Sequence, residues 1–212
     1  MRGLTRRNFI AGTTAMALAA TAGKSPAADS GGPVLVTSWE FGPGANAAGW
    51  PVIEGGGLAI DAVEAAINYV ELLPDEFYVG YGGSPNTIGE TTLDAMMMWG
   101  PTHDVGAVGC LRRVKRAISV ARRVMEETQH SLIVGDDATR FAVSKGFQET
   151  SLTNAASLEA WRKWVDKGET SDAWGPEPIG AHIRPEGHDT VGSMAVDRHG
   201  NVCVGCSTNG RS

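Results

Sequence analysis

Hydrophobic and polar positions along this chain follow two periods, and the switches between them mark out an α/β protein. Residues 33–38, Pro-Val-Leu-Val-Thr-Ser, are apolar and rich in β-branched side chains, which predicts a buried strand. From Gly57 to Leu73, apolar residues recur at Ile60, Val63, Ile67 and Val70, a helical stripe closed by Pro74. Residues 92–98 and 105–110 read as strands and residues 132–135 as a short one. A helix is predicted over 118–128, and another from Asp136 that ends on Gly146. Beyond Gln148 the pattern weakens. Trp161, Trp164 and Val165 predict a short helix, and residues 168–186 are polar, proline-bearing and without period, as in a linker. Order returns in two strands, 189–197 and 200–207, joined by the hairpin-type turn Arg198-His199-Gly200-Asn201. Met96, Met97 and Met98 read as packing residues within the second strand.

The first 28 residues stand apart from this pattern. Arg6-Arg7-Asn8-Phe9-Ile10 is a twin-arginine motif, an alanine-rich apolar stretch follows, and small residues near Ala22 and Ala28 offer cleavage sites. The expectation is an export signal that delivers the protein to the periplasm or outside, with no membrane association afterwards. The signal holds four of the 18 basic residues, which leaves 14 against 24 acidic ones and a net charge near −10. A surface so acidic argues against nucleic acid as a partner. The basic run from Arg112 to Arg123 does not change this. Val114, Ile118, Ala121 and Met125 recur at helical spacing, so its charges read as a solvated helix face.

Glycine, at 28 residues, is unusually frequent and clustered, as at Gly55-Gly56-Gly57 and Gly80-Tyr81-Gly82-Gly83, which points to tight turns and close backbone approach. Three cysteines occur. Cys203 and Cys206 lie three apart in a strand, so their side chains point to opposite faces and form neither a redox pair nor a metal site. Cys110 is expected as a small core residue. No cofactor fingerprint and no metal-ligand spacing is evident.

The chemically suggestive segment is Gly187-His188-Asp189-Thr190-Val191-Gly192. A threonine hydroxyl is a poor nucleophile until a base takes its proton. His188 and Asp189 are its sequence neighbours, but successive strand residues face opposite ways and make no triad. A threonine at a chain N-terminus has a base of its own, the α-amino group, whose ordinary pKa of about 7.7–8.0 suits neutral pH. Cleavage before Thr190 would create that terminus.

These residues resemble the glycosylasparaginases, members of the N-terminal nucleophile hydrolases. The likeness rests on His188-Asp189-Thr190-Val191-Gly192, Asp197, Gly200-Asn201 and Gly205-Cys206-Ser207-Thr208-Asn209-Gly210. It extends through Thr37-Ser38-Trp39, Gly55-Gly56-Gly57, residues 58–64, residues 79–83, Thr92-Leu93-Asp94-Ala95, residues 105–122 and residues 132–136. The resemblance implies an αββα four-layer sandwich, incomplete in this chain. It implies residues 29–189 as an α-subunit-like part with a linker-like tail at 148–187, and residues 190–212 as the start of a β-subunit-like part. Self-cleavage would fall between Asp189 and Thr190, after which Thr190 would attack the side-chain amide of a glycosylated asparagine. Thr208 would polarise the substrate carbonyl, and Trp39 and Gly210 would line the substrate pocket. No cofactor is implied, and the processed units would form a homo-oligomer. The rival readings are a plant-type asparaginase or isoaspartyl peptidase of the same fold, and an inactive exported remnant or binding module; the Asp-Thr junction favours glycosylasparaginase over the first.

Three departures qualify the resemblance. Tyr78 stands where the family has a serine, and Trp99 replaces an aspartate. The chain stops at Ser212, before the arginine and aspartate that would grip the substrate, so a C-terminally truncated sequence is expected.

Overall fold

Six strands form one sheet in the computed structural model, which describes residues 32–168 and 190–210. The predicted export signal, Asp189 and the linker beyond Gly168 lie outside the described residues. The strands are β1 (Val34–Thr37), β2 (Thr92–Trp99), β3 (Asp104–Arg112), β4 (Ile133–Val134), β5 (Val191–Val196) and β6 (Val202–Thr208). Their spatial order is β1-β5-β6-β2-β3-β4; every neighbouring pair is antiparallel except β3 with β4. The helices are α1 (Gly42–Glu54), α2 (Ala59–Glu71), α3 (Ala117–Glu127), α4 (Gly135–Ser144) and α5 (Ala155–Lys167).

One face of the sheet is the core. Leu35, Leu93, Met97, Val108, Val191, Ala195 and Cys203 are buried there beneath the apolar stripes of α2 and α3. Each large aliphatic side chain so removed from water contributes about 1.5–3 kcal/mol. Gly205 lets the helices come close, since a Cβ there would sit 3.0 Å from both Ile67 and Val63. A carboxylate ties the layers together at one end. The Oδ2 of Asp197, in the β5–β6 turn, accepts from the N–H of Ala59 (3.1 Å), and its Oδ1 accepts from the N–H groups of His199 and Asn201.

The opposite face is apolar yet uncovered among the described residues. Val36, Met194 and Val204 align across β1, β5 and β6, and Val36 and Met194 are 51% and 50% exposed. This corrects two expectations. β1 is not a buried strand, because only its Leu35 side is covered. Of the three consecutive methionines only Met97 is buried, while Met96 faces outward. A single sheet with helices on one face and a second apolar face is α/β architecture in keeping with an incomplete αββα sandwich.

Three further positions differ from the sequence reading. α1 was not predicted, because its interior holds Gly44, Gly49 and Pro51. It forms because those small residues allow close contact. A Cβ on Gly49 would meet the carbonyl of Ala62 at 2.6 Å, and one on Gly44 would strike the ring of Tyr69. Cys110 is not a core residue. It sits half-buried at φ +51 in an irregularity of the β2–β3 ladder, where its N–H bonds the Asp94 carboxylate at 2.8 Å. The basic face of α3 is more than a solvated surface: Arg122 is largely covered and pairs with Asp61 and Glu64 of α2 at 2.7 and 2.6 Å.

Candidate active site

The β5–β6 register builds the site. Val191 pairs with Ser207 and Gly192 with Cys206. Thr190 immediately precedes β5, and continuing the same register by one residue would bring it opposite Thr208. Strand alternation places Thr208 on the uncovered face, since its neighbour Ser207 is buried on the helical side, and the same alternation carried back from the buried Val191 would put Thr190 there too. Asp94 of β2 pairs with Thr208 from the other side. Thr208 and Asp94 thus share one face, and the β5 register carried back one residue would add Thr190 to their row.

β1 clamps the chain just after Thr190. Ser38 donates its N–H to the carbonyl of Gly192 and accepts the Gly192 N–H on its hydroxyl, both at 2.9 Å. That hydroxyl also reaches the Thr190 carbonyl at 3.4 Å. Thr37, one residue earlier, is held by Asn46 at 2.7 Å and Ser193 at 3.0 Å. The chain then turns sharply at Trp39, which has φ +63 and a side chain 43% exposed. A tryptophan in the left-handed region is costly, by about 1–2 kcal/mol.

A loop from the far end of α2 supports the Thr208 side. The Thr208 hydroxyl lies 3.4 Å from the carbonyl of Tyr78 and accepts from the N–H of Gly210 at 3.1 Å. The next residue, Asn209, donates its main-chain N–H to the same Tyr78 carbonyl at 2.9 Å. Its side-chain amide spans the carbonyls of Phe77 and Ser84 at 3.2 and 3.3 Å. Gly83 makes room for that amide, because a Cβ there would stand 2.5 Å from its nitrogen. Gly210 has φ +80, a backbone conformation that suits glycine.

Thr208 thus ends β6 and Thr190 immediately precedes the neighbouring β5, with Trp39 one residue beyond the Ser38 clamp and Gly210 closing the Thr208 turn. Asp189 lies outside the described residues. Sequence reasoning missed Ser38, Asp94 and Asn209 as parts of the site. Ser38 could have been found from the strand pattern, since a polar residue ending an apolar run must bond something. Asp94 shares its strand parity with the outward Met96, but its pairing with Thr208 depends on strand order. Cys203 faces the core and Cys206 the open face, as alternation required, and burial pushes both thiols upward, Cys203 to about 12. Among the described residues no group of three or more His, Cys, Asp or Glu could hold a metal ion, and no helix is long and apolar enough to cross a membrane.

Comparison with known proteins places this geometry. Residues 12–212 match the model of the Asparaginase_2 family, described as asparaginase. The chain is 41% identical over 178 residues to N(4)-(beta-N-acetylglucosaminyl)-L-asparaginase of Elizabethkingia miricola, a match covering 84% of this chain and 49% of that protein. It is 40% identical over 199 residues to the protein of that name from Rattus norvegicus, covering 84% of this chain and 57% of the relative. The Mus musculus protein of the same name gives 40% over 200 residues, covering 84% and 58%. The chain spans about half the length of the curated relatives it matches. With a family model matched along nearly all its length and relatives 40–41% identical over 84% of it, this chain belongs to the asparaginase family Asparaginase_2.

Proposed function

We propose that this protein is a glycosylasparaginase-type amidohydrolase that cuts its own chain between Asp189 and Thr190. It then uses Thr190 to hydrolyse the amide between N-acetylglucosamine and asparagine. The observation that supports this most is the pairing of Val191 with Ser207 at the open end of the β5–β6 ladder, a register that one residue further on would bring Thr190 opposite Thr208. The name of the relatives, N(4)-(beta-N-acetylglucosaminyl)-L-asparaginase, supplies the substrate class. The N-terminal signal would direct the product to the periplasm or outside, and residues 29–189 and 190–212 would belong to separate subunits after cleavage.

In the first step the Thr190 hydroxyl attacks the Asp189 carbonyl. The acyl group moves from nitrogen to oxygen, which frees the threonine amine, and water then hydrolyses the ester to the Asp189 carboxylate and the Thr190 hydroxyl. That amine then serves as the base for the same hydroxyl. Attack on the substrate amide expels the glycosylamine and leaves an aspartyl ester, which water releases. Thr208, opposite, is placed to donate to the developing oxyanion, a contribution of about 2.7–4 kcal/mol when a donor is preorganised. Ser38 fixes the backbone from which Thr190 projects, and Trp39 walls the pocket.

The test is direct. The full-length protein should yield two fragments on a denaturing gel, the second beginning at Thr190, and Thr190→Ala should remain a single chain. A wild-type chain that stays intact on long incubation refutes the self-cleavage. The family description asparaginase keeps free asparagine and β-aspartyl dipeptides as competing substrates. Turnover of either above that of N-acetylglucosaminyl-asparagine would replace the sugar-linked substrate while leaving Thr190 in its role.

A further inference from the structure

Glu71 ends α2 with its side chain fully buried. A carboxyl in a core is expensive unless its oxygens are bonded. Its Oε1 accepts from the Ser207 hydroxyl at 2.6 Å and from the N–H of Ile118, in the first turn of α3, at 2.9 Å. One oxygen thereby satisfies a buried strand hydroxyl and one of the orphan N–H groups that open a helix. The main chain of Glu71 is engaged as well. Its carbonyl accepts the Tyr81 N–H at 2.8 Å, and Gly80, at φ +75, passes so close that a Cβ would lie 2.2 Å from that carbonyl oxygen.

The partners of Glu71 are the neighbours of Thr208. Ser207 precedes Thr208 in β6. The turn pinned by the Glu71 carbonyl contains Tyr78, whose own carbonyl meets both the Thr208 hydroxyl and the Asn209 N–H. We infer that Glu71 is a positioning residue that fixes Thr208 opposite Thr190, acting through Ser207 on one side and the turn at residues 78–81 on the other. This rests on the proposed use of Thr208 as an oxyanion donor. A shift of an ångström in such a donor costs up to about 100-fold in rate, so the support behind it is measurable in turnover.

Four variants of the full-length protein test the inference, each assayed on N-acetylglucosaminyl-asparagine well below its unfolding midpoint. Glu71→Gln keeps an acceptor oxygen for both donors and should retain kcat within about 3-fold of the parent. Glu71→Leu keeps the bulk without the acceptor, and Ser207→Ala removes the hydroxyl from the other side. Both should lower kcat about 10-fold or more with KM within about 2-fold, the pattern of a contact made in the transition state. Should Glu71→Leu fail to fold, Ser207→Ala decides. Parental kcat in Ser207→Ala, or an equal loss in Glu71→Gln and Glu71→Leu, overturns the inference. Thr208→Ala is the control that separates the two readings. Undiminished kcat there removes Thr208 from the mechanism, whereas loss there beside a normal Ser207→Ala removes only the role of Glu71.

Discussion

Asp197 and Ala59 are 138 residues apart in sequence and share a 3.1 Å hydrogen bond, the Asp197 carboxylate accepting the first N–H of α2. The same carboxylate takes three further donors from the turn, the N–H groups of His199 and Asn201 and the Asn201 amide. It therefore fixes both the hairpin that presents the threonine pair and the helix that packs behind it. Asp197→Ala should cost roughly 2–4 kcal/mol, several charge-assisted bonds being lost at once.

The pH dependence of that site has a definite sign. Burial alone would raise the Asp197 carboxyl, but its hydrogen bonds outweigh burial and hold it below the usual range. A depressed folded pKa stabilises the protein above the unfolded value of about 3.9 and loses that contribution as pH falls through the folded value. The wild type should lose stability steeply below about pH 4. Thermal melts of wild type and Asp197→Ala should converge there, and a constant gap down to acid pH would contradict the assignment.

Glu71 acts in the opposite direction. Burial raises it from 4.5 to about 8, while the bonds from Ser207 and Ile118 pull it down and only partly offset the burial. The folded protein then holds a proton that the unfolded chain releases, so stability should decline as pH rises from about 4.5 to about 8. Glu71→Gln cannot ionise and should flatten that decline. Denaturant midpoints of the two proteins across this range check it, and parallel profiles would show that Glu71 is ionised in the fold.

Much of this architecture was legible from periodicity, and the exceptions share a cause. α2, α3 and β2 are periodic over enough residues to be read directly, and the Asp189-Thr190 junction stood out by its chemistry. α1 escaped because three of its four buried positions, Gly42, Ala45 and Gly49, are small, and the fourth, Ile53, makes no periodic stripe by itself. β1 read as buried because its outward residues are as apolar as its inward one, which tells of two apolar sides and not of what covers each. The links from Ser38 to Gly192 and from Glu71 to Ser207 span 154 and 136 residues. Such pairs follow from strand order, which local pattern does not encode.

Gly83→Ala should damage the site through Asn209. The new methyl would stand 2.5 Å from the Asn209 amide nitrogen and displace it from the carbonyls of Phe77 and Ser84. A loss of about 1–3 kcal/mol is expected, the typical cost of leaving buried polar groups unpaired. Removing the obstructed side chain as well should recover part of it, so Gly83→Ala with Asn209→Ala should lose less than the two single changes summed. Strict additivity in urea unfolding would show that the glycine and the amide do not compete for space.

Trp39 offers a separation of stability from function. Its φ of +63 is a conformation that side chains with a Cβ adopt at a cost, and such strain persists where the surrounding structure enforces it. Here the enforcement comes from Ser38, doubly bonded to Gly192, and from Gly42, whose N–H bonds the Trp39 carbonyl at 3.0 Å. Trp39→Ala and Trp39→Gly both delete the indole, so the difference between them isolates the backbone. At an ordinary position alanine is the more stable of the two by up to about 1 kcal/mol, because glycine gains freedom on unfolding. At Trp39 the order should reverse, with glycine more stable by up to about 1 kcal/mol, the left-handed penalty of alanine exceeding that entropy term. Turnover should fall equally in both if the indole walls the pocket. Equal stabilities would mean the turn relaxes once the ring is gone, and the strain would then belong to the side chain's own packing.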